Sequence, residues 1–103
     1  MAALVDLSDL AVGEVRGVSP SVCVVRTERG VFALPRRCPH EGADLAYGVV
    51  RDGHLRCPWH NLPIDPETGA QPCASLATLP VRRLESAGGE RYRVPTEDST
   101  ARR

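Results

Sequence analysis

No stretch of this 103-residue chain keeps a helical repeat of apolar residues for more than about ten positions. Turn-forming residues recur at short intervals instead: Gly13, Gly17, Ser19 with Pro20, Glu28 to Gly30, Asp52 with Gly53, Glu67 to Gly69, and Gly88 with Gly89. The segments between them are short and rich in Val and Leu, the pattern of an antiparallel β sandwich or barrel. The fold class is therefore all-β. Strands are expected over 3–5, 14–18, 22–27, 31–34 and 55–57, and a single helical or 3₁₀ turn over 7–10 capped by Ser8. Residues 22–27 and 31–34 flank Gly30 as a hairpin, because Gly takes positive φ without steric cost. A last hairpin is expected to pair 81–84 with 92–94 across 86–90. From residue 96 to 103 the chain is polar, and a disordered tail is expected there.

Residues 35–73 break the sheet pattern. They hold most of the prolines, three of the four cysteines and every histidine. Long ordered loops usually carry function, so a loop-rich insertion with a binding role is expected. It contains two short blocks, CPH at 38–40 and CPWH at 57–60, separated by sixteen residues. Each block offers one thiolate and one imidazole. Cys38, His40, Cys57 and His60 can ligate a single tetrahedral zinc, giving a structural or interaction module. They can equally hold a [2Fe–2S] cluster with both Cys on one iron and both His on the other. C-x-H is an unusually tight zinc knuckle, whereas two loops that each give one S and one N suit the cluster.

Charge and length exclude several classes. Thirteen basic residues, all Arg, balance thirteen acidic ones, which is not the basic bias of a nucleic-acid binder. No run approaches the ~18 apolar residues of a membrane helix. The first residues lack the charged segment, apolar stretch and cleavage site of a signal peptide, so a cytoplasmic location is expected. Thiols there stay reduced or bound to metal. The absence of Lys and the scarcity of Asn, Ile, Phe and Met fit a G/C-rich bacterial coding bias. At this length one domain is expected, over 1–95, with its binding subdomain at about 35–73.

The two blocks in context, CPHEGADLAYG from Cys38 and CPWHNLPIDPETG from Cys57, resemble the Rieske-type [2Fe-2S] ferredoxins that serve oxygenase systems. The resemblance runs from about Leu4 to Val94. It implies a β sandwich with an inserted cluster-binding subdomain, one cluster per chain, and Cys38, Cys57, His40 and His60 as its ligands. It also implies an electron carrier rather than an enzyme, taking single electrons from a flavoprotein NAD(P)H-dependent reductase and passing them to a terminal oxygenase. A small subunit of a nitrite reductase is the alternative within the same family. With His40 and His60 engaged, only His54 remains, too few for the two-His facial triad of an oxygenase iron. Rieske proteins of respiratory complexes carry a disulfide between the cluster loops and hydroxyl donors to the sulfurs. The matching positions here are Ala43 and Trp59, and Leu62 and Ile64. Hydrogen bonds to sulfur raise the potential, so a low one is expected. The family commonly has Gly after the second His, where this chain has Asn61, followed by Leu62 and Pro63.

The remaining chemistry-bearing residues have plainer expectations. Cys23 lies in an apolar strand and is expected to be a buried thiol. Cys73 is expected to be a free thiol in a loop, and His54 a surface residue after a turn. Trp59 either covers the cluster or contacts partners. Asp65 is expected to make an Asx-type turn closed by Gly69. Arg36, Arg37 and Arg56 flank the blocks and are candidates for docking a redox partner.

Overall fold

The computed structural model describes residues 2–37, 43–58, 61–71 and 79–95. Among these residues, ten strands fall in three antiparallel sheets: β1 (Ala2–Asp6), β10 (Arg91–Pro95) and β9 (Ser86–Gly88); β2 (Val15–Gly17), β3 (Val22–Thr27), β4 (Gly30–Pro35) and β8 (Arg82–Arg83); and β5 (Val49–Arg51), β6 (His54–Arg56) and β7 (Pro63–Ile64). Among the described residues the only helical piece is the 3₁₀ turn Leu45–Tyr47.

The β3–β4 hairpin is the spine of the molecule. Its loop is Glu28 and Arg29, Thr27 pairs with Gly30, and Gly30 takes φ 146°. Side chains alternate across a strand, and here both faces are buried. Val22, Val24, Val31 and Ala33 pack with Leu7, Leu10, Leu84 and Val94 beneath the β1–β10–β9 sheet. Cys23, Val25 and Leu34 pack on the other face with Ala43, Leu45, Leu55, Cys57, Ile64 and Leu79. The uninterrupted apolar run from Val22 to Val25 follows from this: a strand covered on both faces has no polar side. The insertion is thus the second wall of a core.

The structure corrects four expectations. Residues 81–84 do not join the last hairpin. Arg82 and Arg83 pair with Ala33 and Phe32 of β4, and Leu84 N–H donates to the Val31 carbonyl at 2.8 Å. The hairpin forms between β9 and β10 across Gly89 and Glu90, with Gly88 paired to Arg91 and Gly89 supplying the positive φ (58°) of the first turn position. Residues 7–10 make the expected single turn, closed by Leu10 N–H on the Leu7 carbonyl, but its cap is Asp6 and not Ser8: the Asp6 carboxylate accepts the Ser8 N–H at 2.9 Å. The 35–73 insertion is more regular than a loop. Asp52 (φ 55°) and Gly53 (φ 78°) close a two-residue hairpin between β5 and β6, and Pro63 is tolerated because β7 is an edge strand. The strand expected at 55–57 ends at Arg56, which leaves Cys57 just beyond it. The 96–103 tail lies outside the described residues.

Candidate metal centre

The second block grows from the end of β6. Cys57 is 2% exposed and forms no disulfide. Its N–H donates to the Leu62 carbonyl at 3.0 Å, and its own carbonyl accepts the Asn61 N–H at 2.9 Å. These two bonds close the chain on itself from 57 to 62 and tie the two ends of the segment together. Asn61 sits at φ 60°, in the left-handed region that Gly and Asn adopt most readily. That conformation accounts for Asn61 at a place where the resembled family commonly has Gly. His60 and Trp59 lie outside the described residues.

The first block, Cys38 and His40 included, also lies outside them, but its neck is fully described. Arg37 and Asp44 form an antiparallel bridge across the loop. Arg36 N–H donates to the Ser21 carbonyl at 3.0 Å, and the Arg36 carbonyl accepts the Leu45 N–H. The Arg36 guanidinium grips Asp44 with two bonds, Nε to Oδ1 at 3.0 Å and Nη2 to Oδ2 at 2.6 Å, while Nη1 donates to the Ser19 carbonyl at 2.8 Å. Asp44 Oδ1 also caps the 3₁₀ turn by accepting the Ala46 N–H at 3.0 Å. The Arg36 bonds hold the Asp44 carboxyl below its ordinary 3.8, and Asp44 in turn raises Arg36.

The two necks meet in one core. Ala43, three residues past the first block, packs in the same buried cluster as Cys57, together with Leu45 and Leu55. A buried thiol at the head of a closed loop, next to the root of a second loop bearing one Cys and one His, is a donor set that fits a group taking two S and two N. Leu62 is partly buried and Ile64 fully buried in the cluster that holds Cys57, and neither side chain carries a donor for a sulfur.

Other candidate residues take structural roles. Arg36 is engaged by Asp44 and the Ser19 carbonyl within the fold. Arg56 is also inward-leaning: its side chain is 21% exposed, with Nη1 3.5 Å from the Asn61 carbonyl and Nη2 3.9 Å from Asp52. Arg37 is tied into the loop neck through its backbone bridge. Cys23 is fully buried, as expected, and burial pushes its thiol up to about 12. His54 is half-buried, its Nδ1 3.1 Å from the Asp52 carbonyl. Asp65 makes the expected Asx turn, accepting the N–H groups of Glu67 (2.8 Å) and Thr68 (3.3 Å), with Gly69 at φ 81°. Cys73 lies outside the described residues. Sequence reasoning missed Asp44 and Gly17 as parts of the first neck. Asp ahead of a short turn is a capping signal that marks Asp44; nothing local marks Gly17.

The sequence profile of the Rieske [2Fe-2S] domain matches residues 2–81. The chain belongs to the Rieske [2Fe-2S] domain family. That membership decides the open reading of the donor set: the cofactor is one [2Fe–2S] cluster, not a zinc ion. Among relatives of this Rieske domain, the anthranilate 1,2-dioxygenase ferredoxin subunit of Burkholderia cepacia is 40% identical over 74 residues, covering 72% of this chain and 67% of that protein. Apoptosis-inducing factor 3 of Homo sapiens is 38% identical over 71 residues, 66% of this chain, but the match spans only 12% of that longer protein. The solved ferredoxin of carbazole 1,9a-dioxygenase from Nocardioides aromaticivorans IC177 superposes with a TM-score of 0.68 at 28% identity, over 93% of this chain and 98% of that one. A ferredoxin in complex with the oxygenase of carbazole 1,9a-dioxygenase gives a TM-score of 0.73 at 24% identity, covering 91% of this chain, a likeness of fold alone. No helix of the described residues is long and apolar enough to cross a membrane.

Proposed function

We propose that this Rieske domain, residues 1–95, is an electron carrier whose cluster is held by Cys38 and Cys57 on one iron and His40 and His60 on the other. It takes single electrons from a flavoprotein NAD(P)H-dependent reductase in the cytoplasm and delivers them to a terminal oxygenase. The observation that carries the reading is the convergence of the two loop roots, Ala43 and Cys57, in one buried cluster. When bound, the cluster supplies reversible one-electron transfer. The chain's part is to hold the ligands. The 57–62 ring of hydrogen bonds fixes the second loop, the Arg36 and Asp44 grip fixes the neck of the first, and Leu45, Leu55 and Ile64 keep water from their base. The ferredoxin relatives, matched over most of their own length, support the carrier role and an oxygenase as acceptor.

The side chains of Leu62 and Ile64 carry no donor for a sulfur, which supports a potential at the low end of the Rieske range, about −150 mV. Such a potential suits electrons arriving from NADH and does not suit quinol oxidation. The test is the purified protein before and after dithionite. The expected result is a coloured protein with acid-labile sulfide that becomes EPR-active on reduction, shows nitrogen couplings from two imidazoles, and titrates well below zero. Cys57→Ala is expected to be colourless. A protein holding zinc without sulfide, or a midpoint clearly above zero, overturns the corresponding part of the reading.

A further inference from the structure

The strongest unassigned arrangement in the molecule is the contact between β2 and the neck of the first loop. The Arg36 guanidinium makes three hydrogen bonds there, two to Asp44 and one to the Ser19 carbonyl. It lies directly over Gly17. A Cβ at Gly17 would sit 2.6 Å from Nη1 and 2.8 Å from Cζ of Arg36, and 3.2 Å from Cβ of Ala46. An Arg tip in open solvent would swing aside, but this one is held by acceptors on both sides. Gly17 therefore acts as a seat, and its missing side chain is what admits the guanidinium. The partner, Asp44, holds both ends of the same segment. Its backbone bridges Arg37 across the loop, and its carboxylate caps the 3₁₀ turn that starts at Leu45. Leu45 is fully buried in the core cluster that contains Cys57. One ion pair thus links β2, both sides of the first loop's neck and the core under the second loop.

We propose that Gly17, Arg36 and Asp44 form a positioning clamp that sets the first ligand block against the second and governs how long the cluster is retained. This rests on the ligand assignment above. All three act through the chain that carries Cys38 and His40, as positioning residues rather than ligands. Partners that orient metal ligands typically contribute a factor of about 10–100 in metal affinity, and a bidentate Arg–carboxylate pair has the fixed geometry that such a role needs.

The test compares release of iron to excess chelator, followed by loss of the visible bands, with thermal stability of the same loaded proteins. Asp44→Asn and Gly17→Ala are expected to lose the cluster at least about tenfold faster than the unaltered chain, with a changed visible CD spectrum. Arg36→Lys, which keeps the charge but not the fork, is expected to fall between. Glu90→Gln is the control. It breaks an ion pair of similar length, Arg26 to Glu90 at 2.7 Å, at the β9–β10 turn on the other face of the central sheet. It is expected to lower Tm and leave the release rate unchanged. The clamp is overturned if the neck variants release iron within twofold of the unaltered protein, or if Glu90→Gln accelerates release as much as they do. Should Asp44→Asn fail to accumulate, Gly17→Ala and Arg36→Lys decide by the same criteria. An unaltered protein without sulfide or a reduced EPR signal would instead overturn the ligand assignment, and the clamp with it.

Discussion

Cys23 shows how one residue's chemistry follows from its place in the sheet. It faces the core shared with Cys57, its Sγ is 3.9 Å from the Pro35 carbonyl, and burial is the main cause that raises its thiol from 9.0 to about 12, with Arg36 pulling weakly the other way. The folded chain therefore keeps this proton to higher pH than the unfolded chain does. The associated stability is intact below pH 9 and is lost as pH climbs from 9 toward 12, at about 1.4 kcal/mol per pH unit. Denaturant midpoints of the unaltered protein and Cys23→Ala, taken between pH 8 and 10.5, should show this extra slope only in the unaltered chain. Equal slopes would mean that Cys23 ionises freely in the folded state. The burial of Cys23 was legible in the sequence, because an apolar neighbour stands on each side of it. The role of Arg36 was not. Its charge suggested a solvent-facing docking group, and only the carboxylate of Asp44 and the carbonyl of Ser19, brought to it by folding, turned it inward.

At the scale of elements, glycines do two different jobs. Gly53 and Gly69 both have positive φ, 78° and 81°. A Cβ on Gly53 meets nothing within 4 Å, whereas one on Gly69 would lie 2.0 Å from the Leu79 carbonyl oxygen. Gly69 N–H donates to the Asp65 carbonyl at 2.7 Å, and the Gly69 carbonyl accepts the Leu79 N–H at 3.0 Å, so this turn fastens the insertion to the chain returning to β8. Gly53→Ala should carry backbone strain alone, about 1 kcal/mol, and Gly69→Ala strain plus collision, about 3 kcal/mol or more. Urea midpoints of the two variants measure the difference, and equal losses would remove the packing role from Gly69. The β3–β4 hairpin could be read from its turn residues. The β5–β6 hairpin carried an equally good signal in Asp52 and Gly53, but the strand before it, Val49–Arg51, is too short to show an alternation. The partner of 81–84 was not legible, because a two-residue strand records nothing about which sheet it joins.

Across the whole molecule, the central sheet divides two cores with different duties. One, around Leu7, Val24 and Val94, fastens the β1–β10–β9 sheet. The other, around Leu45, Leu55 and Ile64, carries Cys57 and Ala43, the roots of the two loops bearing the Cys and His blocks. Leu7 and Leu55 are both fully buried, and truncating either to Ala should cost about 2–5 kcal/mol. Only Leu55→Ala should also alter the EPR line shape of the reduced protein, since its cavity opens beneath the ligand loops. Thermal melts paired with EPR of both variants check this, and identical spectra in both would show that the two cores are not functionally separate.

Composition and pattern alone gave the all-β fold class and singled out the two Cys and His blocks as candidate donors. Turn chemistry, apolar runs and ligand spacing are local properties, written within a few residues of one another. Tertiary structure decided what those local signals leave open. It set which sheet each short strand joins, that Val22 to Val25 is covered on both faces, and that Gly17 and Asp44, twenty-seven positions apart, meet on opposite sides of one guanidinium. Contacts of that kind depend on how the chain closes in space, and no spacing within the chain encodes them.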